Sequence, residues 1–285
     1  MNEFGHPLPR FPGTRPFDVA DRYWYESFYG TLPPFSDQSF ANLLVWGNLH
    51  DDLSVGLVGD NIVFLSTEPF SGSGDPAAVL LGPSIDPDAV DRVFDGFPAL
   101  KSIMLCGKLD RVTEESKTLR LGLDRDQFDY LYNVKKHLAM AGAPYRKLRY
   151  ERRRFLTEQG ELRVTELDLA DPAERNRILA MALDWSRQYP SPNDQTGLEY
   201  RALARRLAVC AYLDHRAYEL HLGTRAVAFG IGHAMPQPGW IQLVHLKCDY
   251  SYAGIFNTSC YSIFAEFDRL GYDRVNLERV CQLNG

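Results

Sequence analysis

The sequence is short of cysteine, of long apolar runs and of net positive charge, and each shortage removes a class of function. Its five cysteines, at 106, 210, 248, 260 and 281, are odd in number and form no Cys-x-x-Cys pair. That argues against a disulfide framework and for a reducing compartment, the cytoplasm. No apolar run nears the ~18–20 residues that a membrane-spanning helix needs. The N-terminus, MNEFGHPLPRFPGTRPF, is rich in proline and opens with an acid, unlike a signal peptide. A formal net charge of −6 makes the chain as a whole no attractor of nucleic acid, so any basic site is local. His221, His233 and His245 fall on different strands without metal-ligand spacing, which points to no metal centre. What remains is an ordinary globular composition, 45% hydrophobic and 24% charged over 285 residues. That is enough for one large domain or two of about 140 residues.

Periodicity gives the elements. Residues 1–17 form an arm in which Pro7, Pro9, Pro12 and Pro16 preclude a helix and which has little core of its own. A helix follows Asp18, and a second opens at Ser36-Asp37 with Phe40, Leu43 and Leu44 turned inward. Trp46, near its end, is either a core ring or one on which a substrate stacks. The runs 53–58 and 61–66 flank Gly59-Asp60 as a hairpin; a strand (77–82), a helix (85–97) and a strand (101–106) complete the half. After Gly160 the grammar repeats: a strand (161–168), helices from Asp171-Pro172 and over 197–214, strands at 217–222, 225–234 and 240–248, a helix over 259–270 and a strand at 273–278. On the second of those helices Arg201, Arg205 and Arg206 take the polar side. The expectation is an α+β protein of two similar halves with mainly antiparallel sheets: 18–155, then 156–285.

Between the halves lies a charged passage. Six cations, Arg146, Lys147, Arg149, Arg152, Arg153 and Arg154, fall within nine residues that hold one acid, Glu151. The run is either a solvated linker helix or a cationic face for phosphates, such as those of a tRNA acceptor end, a coenzyme or a lipid head group. Downstream, antiparallel strands feed the loop YSYAGIF (250–256) and then a helix. Backbone N–H groups at such a junction favour an anionic or carbonyl oxygen.

Three stretches, SDQSFANLLVW (36–46), DQFDYLY with LAMAGAPYRKLRYERRRF (126–155), and AFGIGH, HLKCDYSYAGIF and AEFDRLGYDRVNLE within 228–278, carry a likeness. Together they resemble the soluble C-terminal domain of phosphatidylglycerol lysyltransferases and its stand-alone relatives. That resemblance implies two tandem acetyltransferase-like (GNAT) folds, akin to aminoacyltransferases that draw on charged tRNA. Gly142, Arg149 and Phe155 fit the family's linker motif, with Tyr150 where an Asn is usual. Lys247, Asp249, Tyr252 and Gly254 fit its Glu-Lys-Ala-Asp…Tyr-x-Gly segment, with Leu246 at the acidic position. Asn276 and Glu278 match a late Asn-x-Glu, with Val280 in place of an Asp. The multi-span membrane part that accompanies lysine transfer to phosphatidylglycerol is absent from the sequence, so that activity is not implied.

Acyl transfer from an activated ester or thioester needs alignment, a base and an oxyanion partner. Glu278 is the candidate base and Tyr252 the hydroxyl for the tetrahedral oxygen or the leaving group. Lys247 would hold a carboxylate, phosphate or oxyanion, with Asp249 orienting it or the amine. Arg146, Lys147, Arg149, Arg153, Gly254, Asn257 and Asn276 would bind the donor, and the acceptor would be a small molecule, a peptide or a lipid head group. Each has a plain alternative: an ion pair for Glu278 with Arg274 or Arg279, a packed ring for Tyr252, a solvated cation for Lys247. Cys248 and Cys260 read as buried inert thiols. The loop has one glycine where a coenzyme A pyrophosphate loop has several. The expected donor is therefore aminoacyl-tRNA-like, with acyl-coenzyme A the alternative and a binding protein without turnover a third reading.

Overall fold

The structure, a computed structural model, describes residues 8–66, 76–109, 121–122, 128–188 and 195–277. The chain divides into two compact units, 1–125 and 126–285. In the first, β1 (Arg15–Pro16) leads to α1 (Arg22–Tyr29) through a short turn that Asp18 caps, its carboxylate accepting from Ala20 N at 2.8 Å. The next helix, α2 (Phe40–Asn42), is capped by Ser39 rather than Ser36 and widens into a π-helical turn over Leu43–Gly47. Gly59, at φ +58°, turns the hairpin of β2 (Ser54–Val58) and β3 (Asn61–Ser66). After β4 (Ala77–Ser84), Asp86 and Pro87 start α3 (Pro87–Gly96), which crosses over to β5 (Ile103–Lys108). The sheet order is β1-β2-β3-β4-β5, antiparallel except for β4 with β5. A parallel pair needs such a helical crossover.

The N-terminal arm differs from expectation. Leu57 N donates to Pro9 O and Phe11 N to Leu57 O, both at 2.8 Å, so the segment runs along β2. Phe17 is buried, meeting Tyr25, Phe40 and Phe64 edge-on. Its prolines do exclude helix, but an extended segment can still pair at a sheet edge and supply core.

The second unit holds β6 (Leu131–Asn133), α4 (Val134–Ala139), α5 (Arg146–Gln159), β7 (Arg163–Leu167), α6 (Pro172–Gln188) and α7 (Gln195–Ala208). There follow β8 (His215–Leu222), β9 (Arg225–Ala234), β10 (Trp240–Cys248), α8 (Ile255–Arg269) and β11 (Arg274–Asn276). The sheet order is β6-β11-β10-β9-β8-β7, with β10 and β11 parallel and the rest antiparallel. Strands β7 to β11 thus repeat the order of β1 to β5, and α8 repeats the crossover of α3. Here the division departs from the expected boundary near 155. β6 adds an edge strand by pairing with β11, and the arginine-rich α5 packs on α8. Both therefore lie in the second unit.

Alternation along the strands gives the second sheet two apolar faces. One, with Tyr218, Leu220, Ile241, Leu243 and Val275, packs on Ile263, Phe264 and Phe267 of α8 and on Phe155 of α5. A Cβ on Gly232 would lie 2.7 Å from Phe267 Cζ, so the helix rests on bare strand backbone. The other face, with Ala217, Phe229, Ile231 and Val244, covers Ile178 of α6 and Leu203 and Leu207 of α7.

Candidate acyl-transfer site

In the second unit, β11 lies beside the first residues of β10. They pair at Trp240–Arg274, Ile241–Val275 and Gln242–Asn276. Leu277 N, the next residue, donates to Tyr130 O at 2.9 Å and continues the pairing with the approach to β6. β10 continues to Cys248 with β9 along one edge and, among the described residues, no strand along the other. A strand edge with unpaired amides and carbonyls is a place for an amide- or ester-bearing ligand.

A β-bulge decides what the end of β10 presents on each face. The β9–β10 register steps from Leu243–Gly232 to His245–Ile231, leaving Val244 as the extra residue. Two consecutive side chains, Val244 and His245, then point toward α6 and α7, and the alternation beyond is reversed. Leu246 packs on the α8 side, and Lys247 turns to α7, where its ammonium pairs with the Glu199 carboxylate. Arg206, which sequence pattern puts on the polar side of its helix, is fully buried, with its Nε donating to His245 Nε2 at 3.2 Å. Burial, then the charges of Arg206 and Lys247, hold the His245 pKa well below the usual imidazole value. Among the described residues there is no group of three or more His, Cys, Asp or Glu able to hold a metal.

The other candidates take separate partners. The buried Asp249 carboxylate accepts from Arg225 Nη2 at 2.7 Å and from Ser251 N and Oγ at 3.1 and 2.6 Å, which folds the turn after β10. Its charge is thus engaged away from Lys247. Tyr252 packs its ring on the α8-side core, with the Arg225 guanidinium 5.7 Å from the ring centroid. Asn276, fully buried, donates from Nδ2 to Asp129 at 2.8 Å. Glu278 lies outside the described residues. Cys248 and Cys260 are buried free thiols, and burial pushes Cys248 up to about 12.

Gly254 and Asn257 adjoin the protein's own α5. At φ +83°, Gly254 heads α8, and a Cβ there would lie 3.1 Å from the Glu151 carbonyl oxygen and 3.6 Å from Phe155 Cβ. The Asn257 side-chain amide donates to the Glu151 carboxylate. That carboxylate already provides the negative charge which the N-terminus of α8 favours.

The cations of α5 divide. Arg149 donates to the carbonyls of Met140 and Gly142, the latter at 2.8 Å, closing α4 where Met140 is left-handed at φ +46°. Lys147 pairs with Glu151 at 3.6 Å and Arg154 with Glu158 at 2.7 Å, both at the surface, and Arg146 is exposed. A groove of about 480 Å³ runs between α4, α5 and α8. Arg149, Arg152 and Arg153 line it with Leu138, Met140 and Tyr261, and no acidic side chain among the described residues does. Arg152, absent from the expected donor set, lays its guanidinium 3.9 Å above the Tyr261 ring centroid. Arg146 and Lys147 do not reach the groove. Glu199, and the parts that Arg152 and Arg206 play, were hidden because helical pattern treats charged side chains as solvated until the tertiary neighbours are known.

Residues 30–282 match the family described as phosphatidylglycerol lysyltransferase, C-terminal. The chain belongs to that family. A conserved protein of Bacteroides thetaiotaomicron has the same architecture at a TM-score of 0.78 and 20% identity, covering 98% of this chain and 93% of that one. L-PGS from Bacillus licheniformis superimposes at a TM-score of 0.50 and 12% identity, over 98% and 80% of the two chains. FemX does so at 0.54 and 8%, over 93% and 88%. No curated protein matches the sequence. The likeness to these structures is one of fold, mixed α+β with two mainly antiparallel sheets flanked by helices. No helix among the described residues is long and apolar enough to cross a membrane.

Proposed function

We propose that the protein transfers an aminoacyl group from an activated, tRNA-like donor to an amine or hydroxyl acceptor in the cytoplasm. The observation that carries this reading is the edge of β10 beyond Gln242, along which no strand lies among the described residues, with Lys247 and Glu199 at one side and the Tyr252 loop at its end. An extended donor can pair with that edge of β10 and bring its ester carbonyl to that loop. With an amine acceptor, nitrogen attacks the carbonyl carbon and the C–O bond to the donor breaks. One ammonium proton goes to a base and a second to the leaving oxygen. In this reading Glu278 is the base and the Tyr252 hydroxyl serves the oxygen.

Two features favour an aminoacyl ester over acyl-coenzyme A. The N-terminus of α8, where a diphosphate would sit, is closed by the Glu151 backbone and carboxylate. The acid-free arginine groove suits the phosphodiesters of an acceptor end. The test is to incubate the protein with tRNA charged with a labelled amino-acid mixture, and separately with labelled acetyl-coenzyme A, over a panel of amines and alcohols. Acceptor-dependent loss of label from tRNA, abolished in Tyr252→Phe and Glu278→Gln, is the expected result. Transfer from acetyl-coenzyme A alone reverses the donor assignment, and transfer from neither donor refutes the reading.

A further inference from the structure

The Glu199–Lys247 pair stands on the α6–α7 face of the sheet, with each side chain about a third exposed, at 29% and 33%. Lys247 lies directly across from Phe229 in the β9–β10 register. The Phe229 ring in turn carries the half-buried Trp185 ring of α6, stacked at 5.8 Å and 12°. Two opposite charges and an aromatic wall therefore come together where β10 runs past the end of β11. Stability gives little reason for such a pair, because an ion pair open to solvent contributes little.

Its charges constrain what binds there. A simple cation would have to take Glu199 from Lys247 and leave the ammonium without its partner. A simple anion would do the reverse. A ligand carrying both charges replaces one ion pair with two and leaves none unmatched. We infer that Glu199 and Lys247 bind a zwitterionic amino acid, its ammonium on Glu199, its carboxylate on Lys247 and its side chain against Trp185. Calling this amino acid the acceptor, whose nitrogen takes the transferred group, rests on the transferase reading above; its binding does not.

The experiment is calorimetric titration of the full chain with free amino acids, including leucine, lysine and phenylalanine, beside one-charge analogues. For leucine these are isoamylamine, which lacks the carboxylate, and isocaproate, which lacks the amine. At least one amino acid is expected to bind, with its one-charge analogues weaker by roughly tenfold or more. Glu199→Gln and Lys247→Met are each expected to weaken amino-acid binding by a similar factor. The double exchange Glu199→Lys with Lys247→Glu controls for a tie that is only structural. If the pair merely joins α7 to β10, the single variants melt earlier, the exchange restores the melting midpoint, and no amino acid binds any form. That outcome overturns the inference, as does binding that neither single variant alters. Amino-acid binding without transfer from any donor overturns the transferase reading alone; transfer to some other acceptor without amino-acid binding overturns this inference alone.

Discussion

Replacing Glu151 by Gln tests whether the head of α8 is closed by the protein itself. The substitution keeps the shape and removes the charge that Asn257 holds against the first turn of α8. Losing a carboxylate from a partly buried helix N-terminus costs about 0.5–2 kcal/mol. Weakening a charge-assisted hydrogen bond to a neutral one adds about 1 kcal/mol. The ion pair with Lys147, whose side chain is 87% exposed, adds nothing measurable. The total, about 1.5–3 kcal/mol, corresponds to a fall of roughly 3–10 °C in the melting midpoint for a unit of this size. The Glu151 backbone still closes the head of α8 in this variant, so inorganic phosphate or coenzyme A at millimolar concentration should stabilise neither form. The assay is a thermal melt of both forms with and without each anion. A Glu151→Gln protein as stable as the natural one refutes the reasoning, and stabilisation of either form by coenzyme A reopens acyl-coenzyme A as donor.

Other outcomes follow from the same contacts. Gly254→Ala forces a left-handed alanine against the Glu151 carbonyl, and a loss of about 1–3 kcal/mol in denaturant unfolding is expected. His245 and His137 have their pKa values lowered, chiefly by burial, so the unfolded chain binds protons that the folded chain refuses as pH falls below the ordinary 6.5. Their contribution to stability is present above that pH and is lost progressively below it. The melting midpoint should therefore drop between pH 7 and 5, and His245→Gln should flatten that slope. Cys248 and Cys260, buried with raised thiol pKa values, should react with a thiol reagent at pH 8 only on unfolding, which mass spectrometry of the labelled peptides reads directly.

The strands and helices were legible because their signals are local. The Gly59 and Gly223 turns, the Asp86-Pro87 helix start and the apolar alternation of β8 and β9 each act over a few residues. The repeated element order was legible for the same reason, and with it the α+β class. The domain boundary was not, because the placement of 126–155 depends on pairing between Leu131–Asn133 and Arg274–Asn276, over 140 residues apart in sequence. The arginines of α5 were recognised as a group. Which of them cap a helix, meet solvent or line a groove depends on neighbours that periodicity cannot see.

Sequence by itself determined the elements, the family likeness and the short roster of charged and aromatic residues around the last long strand. Tertiary structure alone decided how those residues are used. One surplus residue in β10, Val244, reverses the alternation and delivers Lys247 to Glu199 on α7 rather than to the α8 side. The cause is geometric: a strand of fixed two-residue period exchanges its faces when one residue is left unpaired, and whether it is left unpaired is settled by the partner strand.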